Sequence, residues 1–582
     1  MTFYSRLSVA ACLACGIVAW CRLTSLADPP QRPADTPKAT PPQRPADTPG
    51  YRHGAVVAVS PPAVDVGLAI LRKGGTAADA AVAVALAMAV TYPAAGNIGG
   101  GGFMTIVPPA AAKREPVVID YRETAPALAT ADMLKDENWY SARAVGVPGT
   151  VRGLALAHAQ FGKLPWAEVV EPAVRLARDG FALSASLADS LNRVVASSAD
   201  FPELVRVLGK DQGRGQWQAG DRLKQPDLAA TLARLAQHGP DEFYTGRTAE
   251  LIEAKMKRDG GVIRRGDLAD YRAKLRQPIR GDYRGYEIIA PPPPSSGGIC
   301  LVQMLNMLAE HDLAKLGPRS PETVHLCAEV MRRAFCDRAR FLGDADFVKI
   351  PPHLTTRDHA LALLKSFDPR RATPSATLAP DLALADEPDS TTHFCVIDGT
   401  GLAISNTYTL ERSYGSRLVV EGGGFLLNNE MMDFNCRPGV TDRTGRIGTE
   451  PNRIAPGKRM LSSQCPTIVR KEGQVFLLTG SPGGRTIINT VLCVLTNVID
   501  HRMDIRAAVD APRLHHQWLP DELRLERGPA AEQAALVRAL TERGHVVVTH
   551  TQGDAHSIFV DPRTGLYHPA ADRRIEGKAA GY

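Results

Sequence analysis

The sequence predicts an α+β protein, with helical and strand-rich stretches set in blocks rather than in strict alternation. Three observations predict it. Gly54 to Val107 follows a strand, helix, helix, loop, strand pattern. Leu154 to Asp282 is mostly helical and charged. Beyond Thr391 strands dominate as far as Gly480, and Glu526 to Tyr582 mixes helix with strand. The chain has 582 residues, more than the roughly 250–300 at which single cores stop growing. Two domains or one large layered domain are therefore expected.

The N-terminus reads as a targeting segment. Arg6 supplies the positive charge, and the apolar run Leu7 to Trp20 covers only about 14 residues, too short to cross a bilayer comfortably. Ser25-Leu26-Ala27 offers small residues for cleavage, so residues 1–27 are a predicted signal peptide, with the mature chain starting near Asp28. An uncleaved anchor, or a lipoprotein at Cys12, is the lesser alternative. After export the product would be periplasmic or secreted, with no integral span. Pro29 to Pro37 recurs as residues 41–49, which makes residues 28–50 a proline-rich, semi-rigid linker.

The folded part begins near Tyr51. Val64 to Leu71 and Ala77 to Val90 are apolar helices, the second apolar on nearly all sides and so buried. Gly96 to Met104 is glycine-rich, but no Lys-Ser/Thr pair and no helix follow it, as a phosphate loop requires. It reads as close backbone packing. A net charge of +6, without a basic cluster interleaved with aromatics, excludes a nucleic-acid reading. The seven cysteines beyond the signal are scattered and odd in number, so no disulfide framework or zinc pattern is visible. His325 and Glu329 lie four apart on a helix, but two ligands without a third are a weak metal pattern. The paired His515 and His516 are no better, so no metal and no other cofactor is expected.

Residues 351–388 are loop-rich and lead to Asp389-Ser390-Thr391-Thr392-His393-Phe394. A strand, a Gly399-Thr400-Gly401 turn and a second strand ending in Thr407-Tyr408-Thr409 follow. A three-residue turn with Gly401 in the left-handed position pairs Thr391 with Thr409 across the hairpin, both hydroxyls on one face. Such threonine pairs are ordinary strand packing when seen alone.

Ser390-Thr391-Thr392-His393-Phe394, Thr407-Tyr408-Thr409-Leu410, Leu427 to Phe434, Leu461-Ser462-Ser463 and Gly480-Ser481-Pro482-Gly483-Gly484 resemble, in order and spacing, the γ-glutamyltranspeptidase (glutathione hydrolase) family of N-terminal-nucleophile hydrolases. The likeness runs from about Gly54 to Tyr582. It implies a four-layer αββα sandwich, self-cleaved between Ser390 and Thr391 into a large subunit, residues 51–390, and a small one, residues 391–582. The two would remain together as a heterodimer. The Thr391 hydroxyl would be the nucleophile and its freed α-amine the base, since such an amine titrates near pH 8. Thr409 would position that hydroxyl. Gly483 and Gly484, at a helix start, would offer N–H groups to the oxyanion. Arg122, Ser462 and Ser463 would hold the donor's α-carboxylate, the planar guanidinium fork suiting that role. Glu430 and Asp433 would hold its ammonium. The implied substrates are glutathione or other γ-glutamyl compounds, with water or an amino acid or dipeptide as acceptor.

Two departures are visible. Glu411 stands where well-known members have asparagine, adding a negative charge beside the ammonium site. Thr444 replaces a gating aromatic in the loop 434–449, which implies a looser cover and more hydrolysis than transfer. They leave room for a same-fold amidase acting on glutaryl β-lactams or poly-γ-glutamate. A rival of another class is an exported binding protein that never cleaves.

Overall fold

A computed structural model describes residues 48–379, 385–386, 391–441 and 445–582. The expected signal peptide, most of the proline-rich linker, Ser390 and Thr444 lie outside the described residues. The described residues belong to a single compact unit, residues 44–582, so the one-large-domain alternative is the one realised.

Two antiparallel sheets organise the unit. The first runs, edge to edge, Lys578–Gly581, Gly54–Ala58, Thr392–Asp398, Ala403–Thr409, Gly101–Val107, Val117–Asp120 and Lys274–Arg276. The second runs Tyr567–Ala570, Ser557–Val560, Gln474–Thr479, Thr467–Lys471, Tyr286–Ala290 and Ile279–Tyr283. Side chains alternate faces along a strand, so each sheet has two apolar sides to cover. Ala55, Val57, Cys395 and Ile397 of the first sheet pack with Ile289, Ile468, Leu478 and Ile558 of the second. On its other side the first sheet gives Val56, Met104, Val396 and Ile404 to a core shared with the helices Pro61–Arg72 and Ala77–Thr91. The second sheet gives Ile288, Val469 and Leu477 to a core shared with Gly297–Leu308, Pro321–Phe341 and Thr486–Ile499.

Helix Ala77–Thr91 is buried along its whole length, as its composition predicts. Its start is fixed by a capping box: the Thr76 hydroxyl accepts from the Asp79 N–H, and the Asp79 carboxylate accepts from the Thr76 N–H.

The hairpin has the predicted register. Thr392 faces Tyr408, and Ile397 faces Ala403. Gly401 takes φ +87°, the left-handed conformation that the three-residue turn needs. Continuing the ladder by one residue sets Thr391 opposite Thr409. The glycine-rich stretch before Phe103 lies against this strand. A Cβ on Gly100 would sit 2.0 Å from the Thr409 carbonyl oxygen, and one on Gly102 would sit 2.3 Å from that of Thr407. Asn97 closes the contact, donating through Nδ2 to the same Thr409 carbonyl at 2.9 Å. The glycines are there so that backbone can approach backbone behind Thr409.

The structure departs from the sequence reading in two places. The described residues between Thr409 and Thr467 are not strand-dominated but form loops and short turns, with only the two-residue strand Gly445–Arg446. Several hold left-handed backbone, Glu411 at φ +77° and Tyr414 at φ +64° among them, which breaks any ladder. The segment before residue 380 is also better held than loop composition suggests. Glu329 accepts from the Thr373 N–H at 3.0 Å and from its hydroxyl at 2.6 Å. Trp518 donates to the Ser375 carbonyl, and Asp521 accepts from the Ser375 N–H.

Gly100→Ala tests the close approach. It is expected to cost about 3 kcal/mol, the upper part of the overpacking range, because the obstacle is backbone and cannot turn away. Denaturant unfolding measures it, and a loss below about 0.5 kcal/mol would contradict the packing described.

Candidate active site

Thr391 and Thr409 open into a cleft at the end of the first sheet. Its walls include Arg122, Glu411, Glu430, Asp433, Ser462, Ser463 and Gly484. Residues from six separated stretches of sequence thus meet at one place. Gly483 lies one residue behind the lining. Its φ is +116°, and its carbonyl accepts from the Thr486 N–H and hydroxyl at the start of the helix Thr486–Ile499.

Arg122 follows the strand Val117–Asp120 and is completely buried. Its guanidinium pairs with Glu430 at 2.5 Å, with Asp433, and more distantly with Glu123 at 3.6 Å. It also reaches the Met460 carbonyl at 3.4 Å. Three carboxylates therefore surround one cation. Burial, then the neighbouring acids, push the Glu430 carboxyl well above the usual range in spite of Arg122. Burial likewise pushes Glu123 up to about 8. The same acids raise the Arg122 guanidinium, so it stays charged.

Glu411 is buried at this wall, and its backbone N–H donates to the Thr409 hydroxyl at 2.8 Å. Thr409 therefore uses a lone pair to fix the turn that carries Glu411. Asn428 fixes the acidic turn: its Oδ1 accepts from the Glu430 N–H at 3.1 Å and from the Gly146 N–H at 2.8 Å.

Beneath the cleft, on the strand Thr392–Asp398, His393 is fully buried. Its Nδ1 lies 2.8 Å from the Thr407 hydroxyl and its Nε2 3.2 Å from Cys395 Sγ. Burial holds the ring far below the usual histidine range, and therefore neutral. A Cβ on Gly480 would meet that ring at 2.3 Å, which is why glycine precedes Ser481.

Three contributors escaped the sequence reading. Glu123 lies just past the strand Val117–Asp120 and pairs with Arg122. Arg338 lies in the helix Pro321–Phe341 and Arg485 beside Gly484, yet both line the cleft. The Pro291 to Gly298 loop grips the serine loop: the Ser296 N–H and hydroxyl both donate to the Ser462 carbonyl, and the Ser462 N–H donates to the Pro294 carbonyl.

His325 and Glu329 do acquire a third neighbour, His545, their ligand atoms lying within 4.8 Å of one another. The Glu329 oxygens are engaged by Arg333 and Thr373, and His325 Nδ1 lies 2.7 Å from His545 Nε2, which is hydrogen-bond spacing. The group ties the segment around Thr373 to the helix. His515 and His516 are buried among Asn489, Gln517, Arg332 and Asp521.

The profile of the Gamma-glutamyltranspeptidase family matches residues 63–582. The glutathione hydrolase proenzyme of Escherichia coli K12 is 43% identical over 540 residues, covering 91% of this chain and 92% of its own. The acylase ACY 1 proenzyme of Pseudomonas sp. strain SE83 is 38% identical, covering 90% and 92%. Among solved structures, a cephalosporin acylase from Bacillus halodurans is 25% identical with a TM-score of 0.81, covering 94% of this chain and 99% of its own. Both groups of relatives are enzymes on an α+β fold of the N-terminal-nucleophile type. The chain belongs to the γ-glutamyltranspeptidase family and is an enzyme of it.

Glu123 makes the buried charge testable. Its folded pKa is raised, so between pH 4.5 and about 8 the native state holds more protons than the unfolded chain, and stability falls as pH rises through that window. Glu123→Gln removes this loss. The melting temperature of the variant minus that of the parent is expected to grow from pH 5 to pH 8 and then level. A difference that shrinks with pH would contradict the assignment.

Proposed function

We propose that this chain is a γ-glutamyl hydrolase and transferase, acting on glutathione and related γ-glutamyl amides through an ester on Thr391. The observation that carries the proposal is the shared cleft: one hairpin register sets Thr391 and Thr409 among Arg122, Glu430, Asp433, Ser462, Ser463 and Gly484.

The proposal includes the finer architecture. The chain is a four-layer αββα sandwich, supported by one apolar core between the sheets and one beneath the helices on either side. Residues 1–27 are a signal peptide and 28–50 a linker. Export is to the periplasm or outside, and among the described residues no helix is long and apolar enough to cross a membrane. The Thr391 hydroxyl attacks the Ser390 carbonyl, the Ser390–Thr391 C–N bond breaks, and water hydrolyses the ester. Residues 51–390 and 391–582 stay together as large and small subunits.

In turnover the freed α-amine of Thr391 takes the hydroxyl proton as the oxygen bonds to the γ-carbonyl carbon. Backbone N–H groups at Gly483 and Gly484 stabilise the oxyanion, where losing one donor typically costs about 2.7–4 kcal/mol. The C–N bond then breaks, and the amine leaves with the proton. Water cleaves the ester to release glutamate, or an amino acid or dipeptide amine takes the acyl group. Arg122 and the two serines suit the donor's carboxylate. The acid excess of Glu123, Glu430, Asp433 and Glu411 suits its ammonium.

The second reading is an amidase for glutaryl β-lactams. It is favoured by the likeness to acylases, while Glu430 and Asp433 disfavour it, because acids set for an ammonium have no partner on a glutaryl chain. The expected ratio of kcat/KM for γ-glutamyl over glutaryl anilide exceeds about tenfold, one lost charge-assisted contact. A ratio below one would favour the amidase. Thr391→Ala is expected to run as one uncut chain on a denaturing gel, with hydrolysis down at least about 1,000-fold. Cleavage at Ser390–Thr391 in that variant would overturn the proposal.

A further inference from the structure

We propose that Arg338 is a positioning residue for donor recognition, aiming the Ser463 hydroxyl at the substrate's α-carboxylate. Arg338 lies on the buried helix Pro321–Phe341, far in sequence from every residue assigned to the donor. Its Nη2 donates to Ser463 Oγ at 3.0 Å, and its Nε donates to Ser296 Oγ at 2.9 Å. Arg338 is 8% exposed and Ser296 fully buried, so neither contact is a surface accident.

The direction of these bonds matters. A guanidinium has donors only, so the Ser463 oxygen is an acceptor toward Arg338, and its own proton must point elsewhere. Among the described residues no acceptor takes that proton, and Ser463 lines the cleft beside Arg122 and Thr391. The hydroxyl is thereby committed as a donor into the cleft, where it can meet only a negative or carbonyl oxygen.

The other end of Arg338 is anchored. Ser296 Oγ accepts from Arg338 and spends its own proton on the Ser462 carbonyl at 2.7 Å. The Ser462 hydroxyl accepts from the Gln464 N–H at 3.1 Å, and the Ser295 hydroxyl donates to the Gln464 carbonyl. One guanidinium thus spans two loops and sets a single orientation for two serines. Losing it would leave Ser463 free to rotate and to spend its proton on backbone. Arg338 keeps no role in the attack by Thr391, so its loss should fall on donor binding rather than on chemistry. This inference rests on the proposed placement of the donor's carboxylate.

The test compares two anilides that differ by one group. γ-Glutamyl-p-nitroanilide carries the α-carboxylate, and 4-aminobutyryl-p-nitroanilide keeps the ammonium but lacks it. In Arg338→Met, KM for the γ-glutamyl anilide is expected to rise about tenfold or more, with kcat within about threefold, a tenfold change being one good hydrogen bond. kcat/KM for the 4-aminobutyryl anilide should stay within twofold of the parent, taken as roughly the spread of an indirect effect. Ser463→Ala should show the same pattern, and the double variant should lose no more than Ser463→Ala alone. Arg338→Lys, which keeps the charge but not the fork, carries the test if Arg338→Met does not mature, with the same substrate selectivity expected. Equal losses on both anilides, or additive losses in the double variant, would overturn the inference. If Ser463→Ala itself treats the two anilides alike, the placement of the carboxylate fails instead.

Discussion

One guanidinium among three carboxylates sets the character of this cleft. Arg122 is buried with Glu123 and Glu430 and pairs with the partly exposed Asp433, and no second cation in direct ion-pair contact relieves those acids among the described residues. Burying ions is costly, and an excess of one sign costs more. The protein accepts that cost by letting Glu123 and Glu430 rise in pKa and by wrapping the site in loops that hold left-handed backbone. An arrangement of this kind is poorly suited to an apolar ligand. It would favour a small zwitterion, whose carboxylate would match the guanidinium and serine hydroxyls while its ammonium would offset the acids.

The same cleft meets the end of a strand, and that junction links fold to chemistry. Thr391 is the residue at which a chain end would turn a packed strand into a nucleophile without rebuilding anything around it. The backbone behind Thr409 is held by glycines that no side chain could replace, and His393 below is kept neutral by burial. Neither supplies a base at the reacting oxygen. The threonine's own amine would be the economical proton acceptor, and an amine would exist there only after the peptide bond before it is broken.

Much of this was legible in the sequence because short-range rules govern it. The turn Gly399-Thr400-Gly401 sets a register, and a register sets which threonines share a face. The all-apolar run Ala77 to Val90 could only be an interior helix. Arg338 and Arg485 were not legible, since an arginine in a helix or after a glycine pair reads as solvated until tertiary packing buries it. Glu123 was hidden for the same reason. The stretch Leu410 to Pro466 misled: its β-branched and aromatic residues suggest strands, but it wraps the site as loops, a shape dictated by what it touches rather than by local pattern.

The likeness to both glutathione hydrolases and acylases is physically reasonable, because a γ-glutamyl and a glutaryl group differ only at the amine. The acids around Arg122 are what would distinguish them, while the nucleophile would be common to both. Intact-mass measurement of an active, purified preparation tests that shared step most directly. Two species are expected, the smaller with the mass of residues 391–582 and bearing one γ-glutamyl group when quenched during turnover. A single full-length species that still hydrolyses a γ-glutamyl amide would contradict it.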